Sequence, residues 1–158
     1  VSSTGKWWHE NVDSRWAARR GEALGLLAQA DELARIVNLV GPEALSPAQR
    51  WALEGAALIK EGVLQQSALD PVDSFSSPQK QFVLLDLMLD LYHQGADLLA
   101  IGVPVQQLVV LPILSRARRV KAVYSSEDVD KLRAFSGEIH EAFAALRTEY
   151  GKPGGKAA

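Results

Sequence analysis

The chain has 158 residues and a formal net charge of −2, from 17 lysines and arginines against 19 aspartates and glutamates. Its hydrophobic fraction of 47% and its length suit a single globular domain that needs no metal or disulfide to stabilise its core. The absence of cysteine excludes disulfides, thiol nucleophiles and thiolate zinc sites, and the near balance of charge argues against a broad nucleic-acid-binding face.

The first two predicted helices are delimited by residues typical of helix ends. Asp13 can cap a helix that ends at Gly41, with leucine, isoleucine and valine at helical spacing between them. Ser46, followed three positions later by Gln49, has the pattern of a capping box, and a proline stands at the first helical position between them. A second helix is therefore predicted from Ser46 to about residue 66.

A third helix is predicted from Ser77, which a proline again follows, to Gly102. Its most apolar part, residues 82–91, is interrupted by Asp86 and Asp90. A membrane-spanning helix needs about 20 predominantly apolar residues. We therefore expect no direct insertion of this chain into a membrane.

The C-terminal part of the chain is predicted to contain two further helices. The segment 104–112, bracketed by two prolines, is expected to form a short helical turn. Residues 114–121 are predicted to be helical but exposed, because their basic side chains leave few apolar positions. These basic residues are Arg116, Arg118, Arg119 and Lys121. The last helix, within residues 125–151, carries apolar residues at a spacing of three or four.

The predicted fold class is all-α, because no alternating strand pattern competes with these helices. We expect a bundle of about five helices, with antiparallel neighbours wherever the loops are short. Two loops, residues 40–47 and 67–78, are longer than such a bundle needs, and loops of this kind often carry function.

The residues alone predict neither a catalytic residue nor a metal site. One face of the third helix carries side chains that could hold a divalent cation. These are Asp86, Asp90, His93 and Asp97. A solvated polar stripe opposite a leucine-rich core explains the same spacing better. The glycine- and lysine-rich residues 151–157 resemble a phosphate-binding loop only in composition.

Two further features have more than one interpretation. Trp7, Trp8 and Trp16 either fasten the first helix to the bundle or mark a face that belongs against another domain. The basic residues between Arg116 and Lys121 are most simply a solvated face, but they leave open a free-standing helical adaptor or a nucleic-acid-binding module.

A series of short motifs, in a fixed order, resembles one known protein family. The motifs are Trp7-Trp8, Val12-Asp13, Trp16, IVNLVGPEAL at 36–45, LQQSA at 64–68, VDSFSSP at 72–78 and Lys80-Gln81. Their order and spacing resemble the carboxy-terminal region of the catalytic subunit, or alpha chain, of V-type and archaeal-type rotary ATP synthases. The resemblance extends from about Trp7 to about Arg147.

This resemblance implies that the chain is one domain of a larger subunit and that the catalytic residues belong to another domain. Residues 1–12 would lead in from an upstream nucleotide-binding domain, residues 13–150 would form the helical bundle, and residues 151–158 would be a disordered tail. The phosphate-binding lysine, the catalytic glutamate and the magnesium ligands would lie upstream. The chain would then bind no cofactor of its own and be inactive alone, whereas the full subunit would use ATP or ADP with magnesium.

The same resemblance implies partners and a location. They would be the nucleotide-binding domain of the same subunit, the non-catalytic B subunits and the central-stalk subunit, with no nucleic acid among them. The chain would be cytoplasmic and peripheral to the membrane through the ATPase complex.

The resemblance also implies which residues act. Adenine would lie against Phe75 and Leu69, with Gln65 and Gln66 supporting that pocket. The turn at residues 41–50 would press on the central stalk. Within that turn, the expected contact residues are Glu43, Ala44, Leu45 and Ser46.

Overall fold

The computed structural model of the chain describes residues 3–65 and 77–151. Within these ranges the chain is mainly helical and contains no strand, which confirms the predicted all-α class. The α-helices are α1 (Ser3–Asn11), α2 (Trp16–Val40), α3 (Pro47–Ile59), α4 (Pro78–Ala100), α5 (Val105–Val109), α6 (Pro112–Val123) and α7 (Val129–Tyr150). A 3₁₀ turn, Pro42–Ala44, precedes α3, and a π turn, Lys60–Leu64, follows it.

Helix α4 lies at the centre of the bundle, and α2, α3 and α7 pack around it. Apolar side chains cover most of its circumference, which is typical of a helix surrounded by neighbours. The largest of its fully buried side chains include Phe82, Leu84, Met88, Leu91 and Leu98. The core therefore runs along the whole length of α4.

The predicted capping box at the start of α3 is confirmed. The Ser46 hydroxyl accepts a hydrogen bond from the Gln49 amide at 3.2 Å, and the Gln49 side chain accepts one from the Ser46 amide at 2.9 Å. Ser77 likewise caps α4 by accepting from the amide of Lys80 at 3.1 Å. Serine before proline is thus a reliable start signal at both positions.

The start of the first long helix was predicted less well. Asp13 does not occupy the cap position of α2, because α2 begins at Trp16 and Arg15 precedes it. The Asp13 carboxylate instead accepts a hydrogen bond from the Arg15 amide at 2.8 Å, in the turn that separates α1 from α2. The separate helix α1 and the short helix α5 explain why the described helices outnumber the expected five or so.

The expectation that residues 114–121 are exposed is wrong. Helix α6 buries Ile113, Leu114, Ala117 and Val120, and the side chain of Lys121 is buried with them. These positions are spaced by one, three, three and one residues, so they form one continuous stripe on the helix. The three arginines flank this stripe, whereas Lys121 is part of it.

The polar face of α4 is also less solvated than expected. Asp86 lies 2.7 Å from Arg19 and 3.2 Å from Arg15, and Asp90 lies 3.0 Å from Arg19. His93 is paired with Glu22. This face of α4 is therefore joined to α2 by ion pairs. Within the described residues, no group of three or more histidines, aspartates or glutamates could hold a metal ion.

None of the helices in residues 3–65 and 77–151 combines the length and apolar character required to cross a membrane.

Candidate functional site

The turn between α2 and α3 is held in shape by its own backbone. Gly41 ends α2 with φ at 90°, a conformation that glycine adopts without steric cost, and its amide donates to the carbonyl of Val37 at 2.9 Å. After the 3₁₀ turn, the Leu45 amide donates to the carbonyl of Pro42 at 3.2 Å. The capping box of α3 follows immediately, so the turn is ordered from one helix to the next.

The side chains of this turn divide into an anchor and an exposed surface. Leu45, one of the four stalk-contact residues that the resemblance implies, is only 6% exposed and packs into the core. Glu43, Ala44 and Ser46 are exposed, as the expected stalk contact requires. Leu45 is therefore the residue that fastens the turn to the bundle.

Two apolar side chains beside the turn were missed by the sequence interpretation. Leu39 and Val40, at the end of α2, are 83% and 66% exposed. Val40 continues the helical spacing of Leu33 and Val37, so the pattern alone placed it on the apolar face of α2, and only the structure shows its exposure. Together with Glu43, Ala44 and Ser46, Leu39 and Val40 form what we call the tip of the bundle.

The opposite end of α3 is a π turn, and π turns are frequent at functional sites. The Gln65 amide donates to the carbonyl of Lys60 at 2.8 Å, which closes the wider turn. Gly62 is buried there against Met88 of α4. Gln65 is exposed at the end of the turn. The other residues expected at the nucleotide pocket, Gln66, Leu69 and Phe75, lie outside the described residues.

Helix α3 thus connects the tip with the π turn. Its 13 residues span about 20 Å at 1.5 Å per residue. Two aromatic side chains fix it to α4. Trp51 of α3 packs on Gly95 of α4, and Tyr92 of α4 packs on Gly55 of α3. The two rings lie nearly parallel, and the Trp51 indole donates to the carbonyl of Tyr92 at 2.8 Å.

The tryptophans near the start of the chain form one aromatic cluster that joins α1 to the bundle. Trp8 stacks on Trp16 with ring centres 4.0 Å apart, and Trp16 meets Phe82 of α4 edge to face at 6.4 Å. Trp7 remains exposed beside them. Of the two interpretations offered by the sequence, Trp8 and Trp16 fit the first, in which they fasten the chain to the core.

The basic residues of α6 do not share one face. Arg116 lies 2.5 Å from Glu138 and over the ring of Phe135, and Arg118 pairs with Glu54 and Glu61. The Lys121 side chain is buried. Ion pairing and burial leave little free charge for phosphates, so the geometry does not favour the nucleic-acid alternative.

Comparison with known proteins identifies the family. Residues 5–107 match the family model described as the C-terminal domain of V and A type ATP synthase. The chain belongs to this family. The V-type ATP synthase alpha chain of Nitrosococcus oceani is 63% identical over 149 residues, which make up 94% of this chain and 25% of that protein.

Archaeal relatives extend the comparison. The A subunit of the A-type ATP synthase of Ignicoccus hospitalis is 37% identical over 92% of this chain and 25% of its own length. That of Pyrococcus horikoshii is 35% identical over 96% of this chain and 15% of its own length. This C-terminal domain therefore spans a quarter or less of these relatives. The family match ends within α5, whereas the similarity to these relatives covers nearly the whole chain.

Proposed function

We propose that this domain belongs to the catalytic subunit of a V/A-type rotary ATPase and couples ATP synthesis or hydrolysis to proton or sodium transport. Residues 67–78, which we call the nucleotide-side loop, would supply the adenine-side wall of the catalytic site, and the tip would contact the central stalk. ATP or ADP with magnesium would be held mainly by an upstream nucleotide-binding domain. The family match and the 63% identity to a V-type alpha chain support this assignment.

The observation that carries the coupling role is the position of α3. This helix begins at the tip and ends at the π turn that leads toward the nucleotide-side loop. Trp51 and Tyr92 lock it to the central helix α4. A helix held in this way moves as one body with its neighbours. A displacement at one end would therefore be transmitted to the other, as in hinge-type domain motion.

The stalk contact would be mainly apolar. Leu39 and Val40 project from the tip beside Ala44, and Glu43 is the only carboxylate between residues 39 and 46. Exposed apolar patches of this kind mark interaction sites. Torque would then depend on shape and packing more than on ion pairs, which contribute little when exposed.

The other partners are proposed from the same family assignment. Residues 1–12, including α1, would connect the bundle, residues 13–150, to the upstream nucleotide-binding domain, with residues 151–158 as a tail. The exposed Trp7 offers an apolar surface for that domain. The non-catalytic B subunits would flank the assembled subunit, and the domain would be peripheral to the membrane through the complex.

The adenine assignment is tested with Phe75→Ala in the full-length subunit within the assembled complex. The variant should raise KM for ATP, because stacking of an aromatic ring on a base contributes about 1–3 kcal/mol. Phe75→Tyr keeps the ring and serves as the matched control. An unchanged KM in the alanine variant would remove Phe75 from the pocket. Gln65 and Gln66, proposed to support the loop, should have smaller effects.

The stalk assignment is tested with Leu39→Asp and Val40→Asp in the same complex. The number of ions moved per ATP should fall while KM for ATP stays the same. Val123→Asp is the matched control, because Val123 is also the last residue of its helix and is as exposed as Val40. Normal coupling in both tip variants would exclude the tip as the stalk contact.

A further inference from the structure

Arg118 of α6 reaches two carboxylates, one on each side of the junction between α3 and the π turn. Its guanidinium donates to Glu54 of α3, and its Nε lies 3.1 Å from an oxygen of Glu61 in the π turn. The side chains of Arg118 and Glu54 are mostly buried, at 30% and 20% exposure. One cation from a third helix therefore spans the point at which the helical hydrogen-bonding pattern changes.

The two carboxylates depend on this cation. Glu54 and Glu61 are seven residues apart, a spacing that places side chains on the same face of a helix. Burial raises the pKa of Glu54, Arg118 opposes that effect, and Glu61 adds to it. Without Arg118, the half-buried Glu54 would keep the repulsion of Glu61, whose side chain is 43% exposed, with no cation from α6 to offset it.

The backbone of the π turn is seated against the same helix. A Cβ on the buried Gly62 would lie 2.6 Å from the Met88 side chain of α4 and 3.5 Å from the carbonyl oxygen of Ala117. Ala117 immediately precedes Arg118, so α6 contributes both a packing surface and a charge to the turn. Gln65 follows this turn directly and is exposed.

We propose that Arg118 is a positioning residue that fixes the π turn through Glu61 and Glu54, and thereby fixes Gln65, the residue after which the sequence continues into the loop assigned to adenine. The inference rests on the proposed function, because α6 would position the turn that precedes the loop assigned to adenine. Arg118 acts without touching the nucleotide. It lies beyond residues 5–107, which define the family match.

The experiment compares Arg118→Gln with Arg119→Gln in the full-length subunit within the assembled complex. Arg119 is the adjacent residue, is exposed, and donates to Ser115 of its own helix at 3.3 Å. Arg118→Gln should raise KM for ATP about fivefold, equivalent to roughly 1 kcal/mol, with kcat nearly unchanged. Arg118→Lys, which keeps the charge, should restore part of the affinity, and so should Glu54→Gln combined with Arg118→Gln.

Hydrogen exchange in the same complexes separates this inference from the proposed function. The amides of Leu64 and Gln65 should exchange faster in Arg118→Gln than in Arg119→Gln, because the π turn is no longer held. Equal exchange in the two variants would overturn the positioning role. A raised KM in Phe75→Ala with an unchanged KM in Arg118→Gln would also overturn it, while leaving the adenine assignment intact. An unchanged KM in Phe75→Ala would refute the adenine assignment, and the exchange result would still decide whether Arg118 holds the turn.

Discussion

The indole of Trp51 occupies the space that a side chain on Gly95 would need. A Cβ on Gly95 would lie 2.7 Å from the indole Nε1 and closer still to the ring carbons. Trp51 is fully buried and its indole hydrogen-bonds to the carbonyl of Tyr92, so the ring has little freedom to move aside. The absence of a side chain at Gly95 is therefore what lets α3 and α4 approach each other closely.

Gly95→Ala should destabilise the chain. Overpacking a filled core costs about 1–3 kcal/mol, and this should outweigh the gain of about 1 kcal/mol from alanine in a helix. Urea unfolding followed by circular dichroism measures the change. Gly137→Ala in α7 is the control, because a Cβ there meets nothing within 4 Å, and it should raise stability. Equal stability of the two variants would contradict the close packing.

Local signals in the sequence predicted the helix boundaries that depend on neighbouring residues. Ser46 and Ser77, each followed by proline, start α3 and α4 as expected because the cap is made by residues within three positions. Asp13 was assigned wrongly, because an aspartate in a turn can bond to the amide of Arg15 without starting the helix there.

Features that depend on distant parts of the chain were not predicted. The burial of α6 was not predicted because its four basic residues indicated an exposed helix, although Leu114, Ala117 and Val120 lie on one face. The Arg118–Glu54 pair joins residues 64 positions apart. Loop length located the two loops and the family resemblance implied their roles, but only the structure separates the buried Leu45 from the exposed Leu39.

Asp90, which pairs with Arg19, and Asp13, which pairs with Arg15, should affect stability with opposite dependence on pH. Burial, followed by the Asp86 carboxylate, raises the pKa of Asp90, and Arg19 and His93 only partly oppose this. The hydrogen bond from Arg15 lowers the pKa of Asp13. A raised pKa favours folding of the protonated form, whereas a lowered pKa favours folding of the ionised form.

The contribution of Asp90 to stability should be present below the ordinary aspartate pKa of about 3.9. It should be lost as pH rises through the higher pKa that Asp90 has in the folded chain. The contribution of Asp13 to stability should be present above about pH 3.9 and be lost as pH falls through the lower pKa that Asp13 has in the folded chain. The measurement is urea unfolding between about pH 3 and pH 7. As pH rises, the free energy of unfolding of wild type minus that of Asp90→Asn should fall. The same difference for Asp13→Asn should rise. Parallel slopes would contradict these environments.

The purified chain should not hydrolyse ATP. The proposed function assigns the residues that hold the nucleotide phosphates and magnesium to an upstream nucleotide-binding domain. Phosphate release with excess Mg-ATP should equal that of a chain denatured by heat. Magnesium-dependent turnover that survives further purification would refute the assignment of the chemistry to an upstream domain.

Substitutions at the buried Leu45 and at the exposed Leu39 should separate effects on stability from effects on the coupling of ATP turnover to ion transport. Leu45→Ala should lower the free energy of unfolding by about 2–5 kcal/mol, because it leaves a cavity under the turn. Leu39→Ala should change it by no more than about 0.5 kcal/mol, as is usual for surface positions. In the assembled complex, Leu39→Asp should reduce ion transport per ATP without reducing the amount of assembled enzyme. If Leu39→Asp instead lost assembly to the same degree as Leu45→Ala, the tip would serve the fold and not the stalk.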